Sequence, residues 1–573
     1  MDVDVTGMTW LSDILRAVKK AFSLTVGYGL IQLVDVDNKH ITDVDDIPAK
    51  YYKRVKNGGL ALTVQTTKRV LDDGETDPSE PASKKQRIDS DHLLSTSANF
   101  KAFENARLIN GCIVSPPQTC LPFLQKGDVQ KVYVRQCYKD VFRLLDKEVE
   151  KGFRSFAICG TPGIGKSVSF IYILRRLMRR RSRNASYSLN PTKIVYQISL
   201  YFICFDLEEQ AFFELTTQEA GVLADNPQTL YIIDECNRPP VPSTCVTIFI
   251  ASSPRSEEYK EFAKQKKPRK WYYPIWTKAE LEDCRAKCYP TISNELLEER
   301  YEACGGIARF VLETDIYISI PSVLTNALSD VNAVMAVKHV FEPTDIFPLS
   351  YSLVHMLVGT DDYGRLYQFL GLGLASNYVG EKLWEKHPEQ MIENLQEMFD
   401  WRSNEMPRRL FEIYGHRVFS SGGPSDGASG RKALKCRNLS DGTESMLRLQ
   451  DFGGKRAKLK QNPLPDKPIA AYHQPSDDEN FPAIDSLSPQ GLFQFTVATE
   501  HPIRNVKFLK KLCDLYHIPP ADPPTTKLYF VVPEHRYMDF EEQVFLSAKG
   551  KRVMKSLPNL EQYVVELPVG EAE

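Results

Sequence analysis

The stretch GTPGIGKS (Gly160–Ser167) places glycine, lysine and a hydroxyl at the spacing G-x-x-x-x-G-K-[ST]. Those residue types suit one chemistry. Glycines let successive backbone N–H groups turn toward a common centre, and the N-terminus of a following helix adds positive potential there, which suits a polyphosphate. The expectation is that Gly160, Thr161, Pro162, Gly163, Ile164, Gly165 and Val168 wrap the phosphates of ATP or GTP. Lys166 would reach the β- and γ-phosphates, and the Ser167 hydroxyl would ligate Mg²⁺. A structural glycine turn fits the same letters, but the flanks argue against it. Phe156, Ala157 and Ile158 read as a buried strand, and SVSFIYILRRLM reads as an amphipathic helix directly after the loop.

Hydrolysis needs more acids and a way to neutralise charge. TLYIIDECNRPP is an apolar strand ending in Asp234 and Glu235. Asp234 is suited to hold the metal through water, and Glu235 to orient or deprotonate the attacking water. The next apolar strand, CVTIFIASSPR, leads to Ser252, Ser253 and Arg255. A polar group there sits between the two catalytic strands and senses the γ-phosphate; Arg255 either offsets transition-state charge or is a surface arginine. In ACGGIARFVLE, Gly305, Gly306 and Arg309 resemble the GG-x-x-R feature of AAA+ and signal-transduction ATPases, which implies an arginine approaching the nucleotide. A glycine turn with a surface arginine fits equally.

A second constellation stands in the last third. Glu412 lies in the helical stretch NEMPRRLFEIYGHRVFSS, and FPAIDSLSPQGLFQFTVATEHP holds two short strands, with Asp485 in the first and Gln494 and Thr496 in the second. In metal-dependent nucleases a helical Glu, a strand-end Asp and an acid-x-Lys strand converge on one or two Mg²⁺ ions, which generate hydroxide at the scissile phosphate. Gln494 and Thr496 occupy the acid and lysine positions. A Gln carbonyl ligates Mg²⁺ without adding charge, so metal affinity falls; Thr orients water but carries no cation. His501, Lys507 and Lys510 are candidate replacements for the lysine, and nothing in the sequence places them. A turn-capping Asp485 and a strand-bonding Gln494 would need no chemistry at all.

These groups need scaffolds. At 573 residues the chain is too long for one core, and 42% apolar with 25% charged residues is the composition of an ordinary folded protein. A formal net charge of -2 means that any contact with nucleic acid comes from patches. Such patches are LRRLMRRRSR (Leu174–Arg183), KQKKPRK (Lys264–Lys270) and Lys455, Arg456, Lys458 and Lys460, each of which a solvated charged face also explains. No apolar run reaches the ~20 residues that span a bilayer, so no membrane partner is expected. MDVDVTGMTW has neither the basic start nor the apolar stretch of a secretory signal. The 12 cysteines include no C-x-x-C pair; Cys284 and Cys288, one helical turn apart, read as reduced core-facing thiols. Reduced thiols suit a cytosolic or nuclear working place.

Residues 1–67 read as a helix, WLSDILRAVKKAF, packed on a mixed sheet that ends in GGLALTVQ, the layout of a ubiquitin-like fold. Residues 68–98 are polar and poor in apolar groups, as a disordered linker is. Lys84, Lys85 and Arg87 there form a basic cluster that a nuclear import receptor could read, or a solvated charge run.

The words SDILRAVKKAFSLTVGYG and ITDVDDIPAKYYKRVKNGGLALTV resemble the ubiquitin-like amino-terminal domain of Crinkler-type effectors. The series of phosphate loop, Asp-Glu strand, Ser-Ser-Pro strand, YYPIWTKAELEDC and GG-x-x-R resembles the NTPase domain shared by Crinkler effectors and retrotransposon hot spot proteins. LFEIYGH, NFPAIDSL and LFQFTVATEHPI resemble the nuclease-like domain of the same families, in which Gln-x-Thr often stands for the usual triplet. The resemblance implies a multidomain α/β chain. Its parts are a ubiquitin-like α+β domain (1–67), a basic linker (68–98), a P-loop NTPase of AAA+/STAND type with a parallel sheet (99–335), and a restriction-endonuclease-like PD-(D/E)XK domain (336–573). It further implies a secreted effector acting in the host cell nucleus, with the ubiquitin-like domain contacting host or nuclear proteins, NTP hydrolysis coupled to DNA binding, and DNA cleavage by a Mg²⁺ site. Two alternatives stay open: a nucleotide-switched DNA- or protein-binding module without nuclease activity, and an endogenous retroelement-related nuclear protein.

Overall fold

The computed structural model describes residues 2–4, 52–54, 60–63, 103–116, 131–181, 188–198, 201–234, 244–250, 257–313, 320–330, 350–399, 405–424, 433–460, 463–465, 469–475, 484–516, 525–547, 551–553, 557 and 559–570. The chain divides into two compact units, Met1–Ile88 and Asp89–Glu573. In the first, the described residues are three short antiparallel strands, β1 (Asp2–Asp4), β2 (Tyr52–Arg54) and β3 (Leu60–Thr63), in the order β1–β3–β2. β3 is the strand expected after the Gly58-Gly59 turn. The expected helix of WLSDILRAVKKAF and the cluster Lys84–Arg87 lie outside the described residues.

The second unit opens with a small antiparallel sheet of β4 (Arg107–Ile109), β5 (Cys112–Val114) and β6 (Lys131–Tyr133). Helix α1 (Gln136–Glu150) buries Tyr138, Val141, Phe142, Leu145 and Val149 at helical spacing. It leads into β7 (Ser155–Cys159), which the glycine-containing loop Gly160–Val168 joins to α2 (Ser169–Arg181). Next come β8 (Lys193–Ile198), β9 (Tyr201–Asp206), β10 (Ala211–Leu215), α3 (Thr217–Ala224), β11 (Thr229–Asp234), β12 (Val246–Ile250) and β13 (Arg269–Tyr272). The seven strands pair in the order β10–β9–β8–β11–β12–β7–β13. β8, β11, β12, β7 and β13 run parallel, and β9 and β10 close one side antiparallel. β11 and β12 are buried at every residue, which is why both read as unbroken apolar runs. Their order places β12 between β7 and β11, so Gly160, Asp234 and Ile250 lie side by side at the carboxyl edge. Open parallel sheets bind their ligands in that crevice.

Beyond the sheet lie α4 (Lys278–Cys288), α5 (Asn294–Cys304) and α6 (Ser322–Ser329), then a hairpin of β14 (Val354–Gly359) and β15 (Gln368–Leu374), and the helices α7 (Asn377–Lys386) and α8 (Glu405–Ser420). SYSLVHMLV, a strand-like apolar run, is divided: Ser350–Leu353 form a helical turn and pairing begins at Val354. The partner explains the division, because β15 runs out at Leu374, opposite Val354. An eight-stranded sheet completes the unit, built of β16 (Leu434–Asn438), β17 (Glu444–Leu447), β18 (Ala457–Leu459), β19 (His473–Pro475), β20 (Ser486–Ser488), β21 (Gly491–Phe495), β22 (Thr526–Pro533) and β23 (Leu560–Leu567). Its order is β17–β16–β23–β22–β21–β20–β19–β18, with β21, β22 and β23 parallel. α8 covers one face through Phe419 and His416 on Phe493 and Phe495, and α9 (Val506–Cys513) packs Leu509 and Leu512 with Leu492 and Leu528 on the other.

The expected boundary at 335/336 is not a break in packing. Ala303, Cys304, Leu324, Ala327 and Leu328 share one buried cluster with Leu383, Phe411, Phe495 and Val565.

Two glycines inside helices test this packing. A Cβ at Gly415 in α8 would collide with the Phe495 ring, whereas nothing lies within 4 Å of one at Gly221 in α3. Helix propensity favours Ala over Gly by about 1 kcal/mol at either position. Gly221→Ala is therefore expected to stabilise by about 0.5–1 kcal/mol in urea unfolding. Gly415→Ala should destabilise by about 1–3 kcal/mol, since overpacking outweighs propensity there. Gain at both sites would contradict the α8–β21 contact.

Candidate functional site

Gly160, Gly163 and Gly165 have φ of 149°, 80° and 89°, the left-handed range that side chains avoid. Space is as restrictive as torsion. A Cβ at Gly163 would lie 2.9 Å from Ile307 Cγ2 and 3.1 Å from Arg309 Cβ, and one at Gly165 would lie 2.6 Å from the Tyr138 hydroxyl. The reason is a set of hydrogen bonds to the outer side of the loop. The Arg309 backbone N–H donates to Gly163 O (3.1 Å), Trp276 Nε1 to Ile164 O (2.8 Å), and the Tyr138 hydroxyl to Gly165 O (2.7 Å). A peptide plane carries its C=O and N–H on opposite sides. Three successive carbonyls held outward therefore turn the N–H groups of Ile164, Gly165 and Lys166 inward, which is the form of an anion-binding nest.

Lys166 is buried, and its Nζ donates to Gly160 O and Thr161 O, both at 3.0 Å. The ammonium thus spans the concavity. Ser167 is exposed at the end of the loop, and Val168 half-buried beside it. Thr161 is buried, and its hydroxyl accepts the Met356 N–H of β14 at 3.0 Å, so the loop is tied to the hairpin. Asp234 ends β11 as expected, buried, with Oδ2 accepting from the Tyr196 hydroxyl at 2.7 Å. Arg309 reaches the loop through its backbone. Glu235, Ser253 and Arg255 lie outside the described residues, although β12, which leads to the last two, lies between β7 and β11 as expected.

The grip on the loop has its own support. Arg135, wholly buried, donates to Pro274 O (2.8 Å) and Ile275 O (3.0 Å), pairs with Glu280 (2.9 Å), and stacks 4.6 Å from the Trp276 ring centre. Nothing in the sequence marked Arg135 or Tyr138. Each is one residue on a helix approach and gains its meaning only from where the chain returns more than 25 residues later.

The second constellation is also partly assembled. The Glu412 carboxylate pairs with Arg409 Nη1 at 2.6 Å and lies 3.8 Å from His416 Nε2. Burial opposes its charge, yet His416 and Arg409 outweigh that and bring Glu412 down to about 2. Asp485 behaves oppositely: burial, then the charge of Glu412, push it well above the carboxylate range. Its Oδ2 accepts from Gln494 Nε2 (2.6 Å) and from the Phe495 N–H (2.8 Å). His416 Nδ1 meets the Tyr472 hydroxyl at 2.8 Å, and that hydroxyl donates to Ser486 Oγ at 2.9 Å. Thr496 stands apart from the acids: its N–H donates to Val531 O (3.0 Å) and its hydroxyl accepts the Ala498 N–H (3.2 Å), a local turn contact. Lys507 and Lys510 are on the exposed side of α9. Positive charge comes instead from Arg408 and Arg409, both felt by Asp485. The pair stands in PRRLFE, one turn before Glu412, and the i,i+3 spacing to the acid was the signal available.

These residues fit a divalent cation poorly. Among the described residues no three His, Cys, Asp or Glu side chains gather to hold a metal. Glu412 already serves Arg409 and His416, and the same Asp485 oxygen takes two N–H donors. One atom points the other way, the buried Gln494 Oε1, which has no hydrogen-bond partner. The basic tracts are partly consumed inside the fold: Arg180 forms a bidentate pair with Asp146 (2.7 and 3.0 Å), and Arg456 pairs with Glu381.

The two acids predict opposite pH slopes. Asp485 has a folded pKa above its unfolded value of about 3.9, so its contribution is complete below that value and is lost as pH rises through the folded one. Glu412, depressed to about 2, contributes fully above about 4.3 and loses that as pH falls toward its folded value. Asp485→Asn is therefore expected to flatten the loss of unfolding free energy as pH rises above about 4, measured by urea titration. An unaltered slope would mean that Asp485 is ionised in the fold.

No family model matches the chain. Over 443 residues, 75% of this chain and 68% of the relative, it is 24% identical to Crinkler effector protein 15 of Phytophthora infestans. Over 446 residues, 75% of this chain and 67% of the relative, it is 25% identical to Crinkler effector protein 16 of the same organism. No helix among the described residues is long and apolar enough to cross a membrane. Similarity sustained through three quarters of the length, on top of the motifs, places the chain among the relatives of the Crinkler effector proteins.

Proposed function

We propose that this Crinkler-like effector works as a nucleotide-driven switch. It binds ATP or GTP with Mg²⁺ in the Gly160–Ser167 loop and hydrolyses it, and the nucleotide state governs how the nuclease-like half engages DNA in a host nucleus. The observation that carries the reading is the set of three outward-held carbonyls at Gly163, Ile164 and Gly165, which leaves the opposite side of the loop as an N–H cradle. A Cβ at Gly163 or Gly165 would collide with the residues that hold the loop from outside, so the glycines fit the role.

In this reading Lys166 leaves Gly160 O and Thr161 O for the β- and γ-phosphates. When bound, Mg²⁺ neutralises charge between those phosphates. Ser167, exposed at the loop end, and Asp234, at the neighbouring strand end, are the residues that would hold it. Glu235 follows Asp234 and would orient the attacking water. Arg309, whose backbone N–H already holds Gly163 O, is the arginine that would approach the nucleotide. Thr161 passes the change to β14, because its hydroxyl accepts the Met356 N–H.

For the nuclease-like half the preferred reading is binding without cutting, since Gln494 and Phe495 saturate one oxygen of a carboxyl group whose charge burial disfavours. DNA cleavage is the second reading, favoured by the unpartnered Gln494 Oε1 beside paired acids. Import through Lys84–Arg87 and contact of the ubiquitin-like segment with host proteins belong to the same proposal.

The full chain with Mg²⁺ is expected to turn over ATP or GTP, and Lys166→Ala to lower the rate to background. Turnover unchanged in that variant would defeat the nucleotide assignment. In the same preparation supercoiled plasmid should be retarded on a gel but stay un-nicked with Mg²⁺ or Mn²⁺, with or without nucleotide. Nicking that disappears in Asp485→Ala would establish the cleavage reading instead.

A further inference from the structure

Three cysteines meet away from both constellations. Cys112 is on β5, and Cys284 and Cys288 are one turn apart on α4; Cys112 Sγ lies 3.7 Å from Cys288 Sγ. Cys284 lies one helical turn before Cys288 and is buried. Cys112 and Cys284 are buried, whereas Cys288 is half-exposed. Two elements far apart in sequence are latched around this point. The Tyr133 hydroxyl on β6 donates to Asp283 Oδ2 (2.8 Å), and Lys287 pairs with the same oxygen (2.5 Å) while standing 5.5 Å from the Tyr133 ring centre.

We propose that Cys288 and Cys112 form a dithiol site oxidised by hydroperoxides, with Cys288 as the attacking sulfur and Cys112 as the resolving one. The roles follow from exposure and geometry. Cys288 is the sulfur a small oxidant can reach. Cys284 and Cys112 place thiols against it, and Lys287 and Lys131 add positive charge nearby, which together bring Cys288 down to about 7 although burial resists. Cys112 is pushed up to about 12, first by burial, so it stays a thiol until called on. Cys284 is the poorer resolving partner. The Cα–Cβ bonds of an i,i+4 pair on a helix point the same way, while a disulfide needs a dihedral near 90°. Cys112 approaches from another element and is free of that limit.

The chemistry closes with hydrogen peroxide as the only co-reactant. The Cys288 thiolate attacks one peroxide oxygen; an S–O bond forms, the O–O bond breaks and hydroxide leaves, so sulfur loses two electrons and becomes a sulfenic acid. The Cys112 sulfur then attacks Cys288 Sγ; the S–S bond forms, the S–O bond breaks, and the Cys112 proton leaves with the hydroxyl as water. Two thiols and one peroxide give one disulfide and two waters. The cross-link would fasten β5 to the last turn of α4.

The test treats the full chain with equimolar hydrogen peroxide near neutral pH, alkylates the remaining thiols and maps the peptides by mass spectrometry. The expected product is a Cys112–Cys288 linked peptide, with a rise in apparent melting temperature, both reversed by dithiothreitol. Cys112→Ser should abolish the link and the rise while leaving Cys288 the fastest thiol to react with iodoacetamide. Cys288→Ser, at the half-exposed position, should abolish link, rise and fast alkylation together. Recovery of Cys288 as a free thiol, as a sulfinic acid alone or joined to Cys284 would overturn the proposal, as would a temperature shift that survives in either variant.

Discussion

The carbonyl oxygens of Gly163, Ile164 and Gly165 are pinned outward by a backbone amide, an indole and a phenol, and the rest of the site depends on that. Each bond is worth only about 1 kcal/mol net, but a buried carbonyl left unmet costs about 1–3 kcal/mol. The loop therefore holds one conformation because the alternatives strand polar groups. The three donors come from α1, from the segment before α4, and from the turn after α5. A tight turn of eight residues thus draws on three separate parts of the chain. Arg135 makes this possible, since a buried guanidinium is tolerated only when its donors are spent, and here they fix the strand of chain that carries Trp276.

The same loop also touches the carboxyl-terminal half of the large unit. Met356 donates to Thr161, the Tyr272 N–H donates to Tyr367 O (2.8 Å), the Tyr367 hydroxyl donates to Asp140 (2.8 Å), and Ser376 Oγ donates to Ala303 O (2.7 Å). α8, which carries Glu412, packs on β15. A continuous physical route of hydrogen bonds and packed side chains therefore runs from the Gly160–Ser167 loop to Glu412. Route and coupling are different things, and coupling requires that the hairpin have two arrangements.

Much of this was legible from the letters. Strands β7, β11 and β12 announced themselves because parallel strands buried on both faces must be apolar throughout, and the glycine spacing fixed where the chain turns. Glu412 and Asp485 were found as a pair because a helical acid and an acid beside a short strand leave local signatures, although Asp485 was expected to end its strand and instead stands just before β20. What the letters hid was tertiary. Tyr138, Trp276 and Arg135 act on backbone atoms remote in sequence, and a donor to a distant carbonyl leaves no periodic trace. Thr496 misled for the related reason that its hydroxyl serves a turn two residues away rather than the acids. Cys112 is the sharpest case: Cys284 and Cys288 were visible as a helical pair, but the sulfur that faces Cys288 sits 176 residues away, on β5.

The buried cluster that joins Ala303, Leu324 and Leu328 to Phe411 and Val565 has a bearing on ancestry. Motifs arranged like beads invite the idea that such chains arise by trading beads. Here a swap made at residue 335 would carry away the apolar wall that α5 and α6 lean on and leave the donor with a raw hydrophobic flank. Recombination that yields folded progeny must move the hairpin and α8 together with α5 and α6, so the heritable block is larger than the motifs suggest.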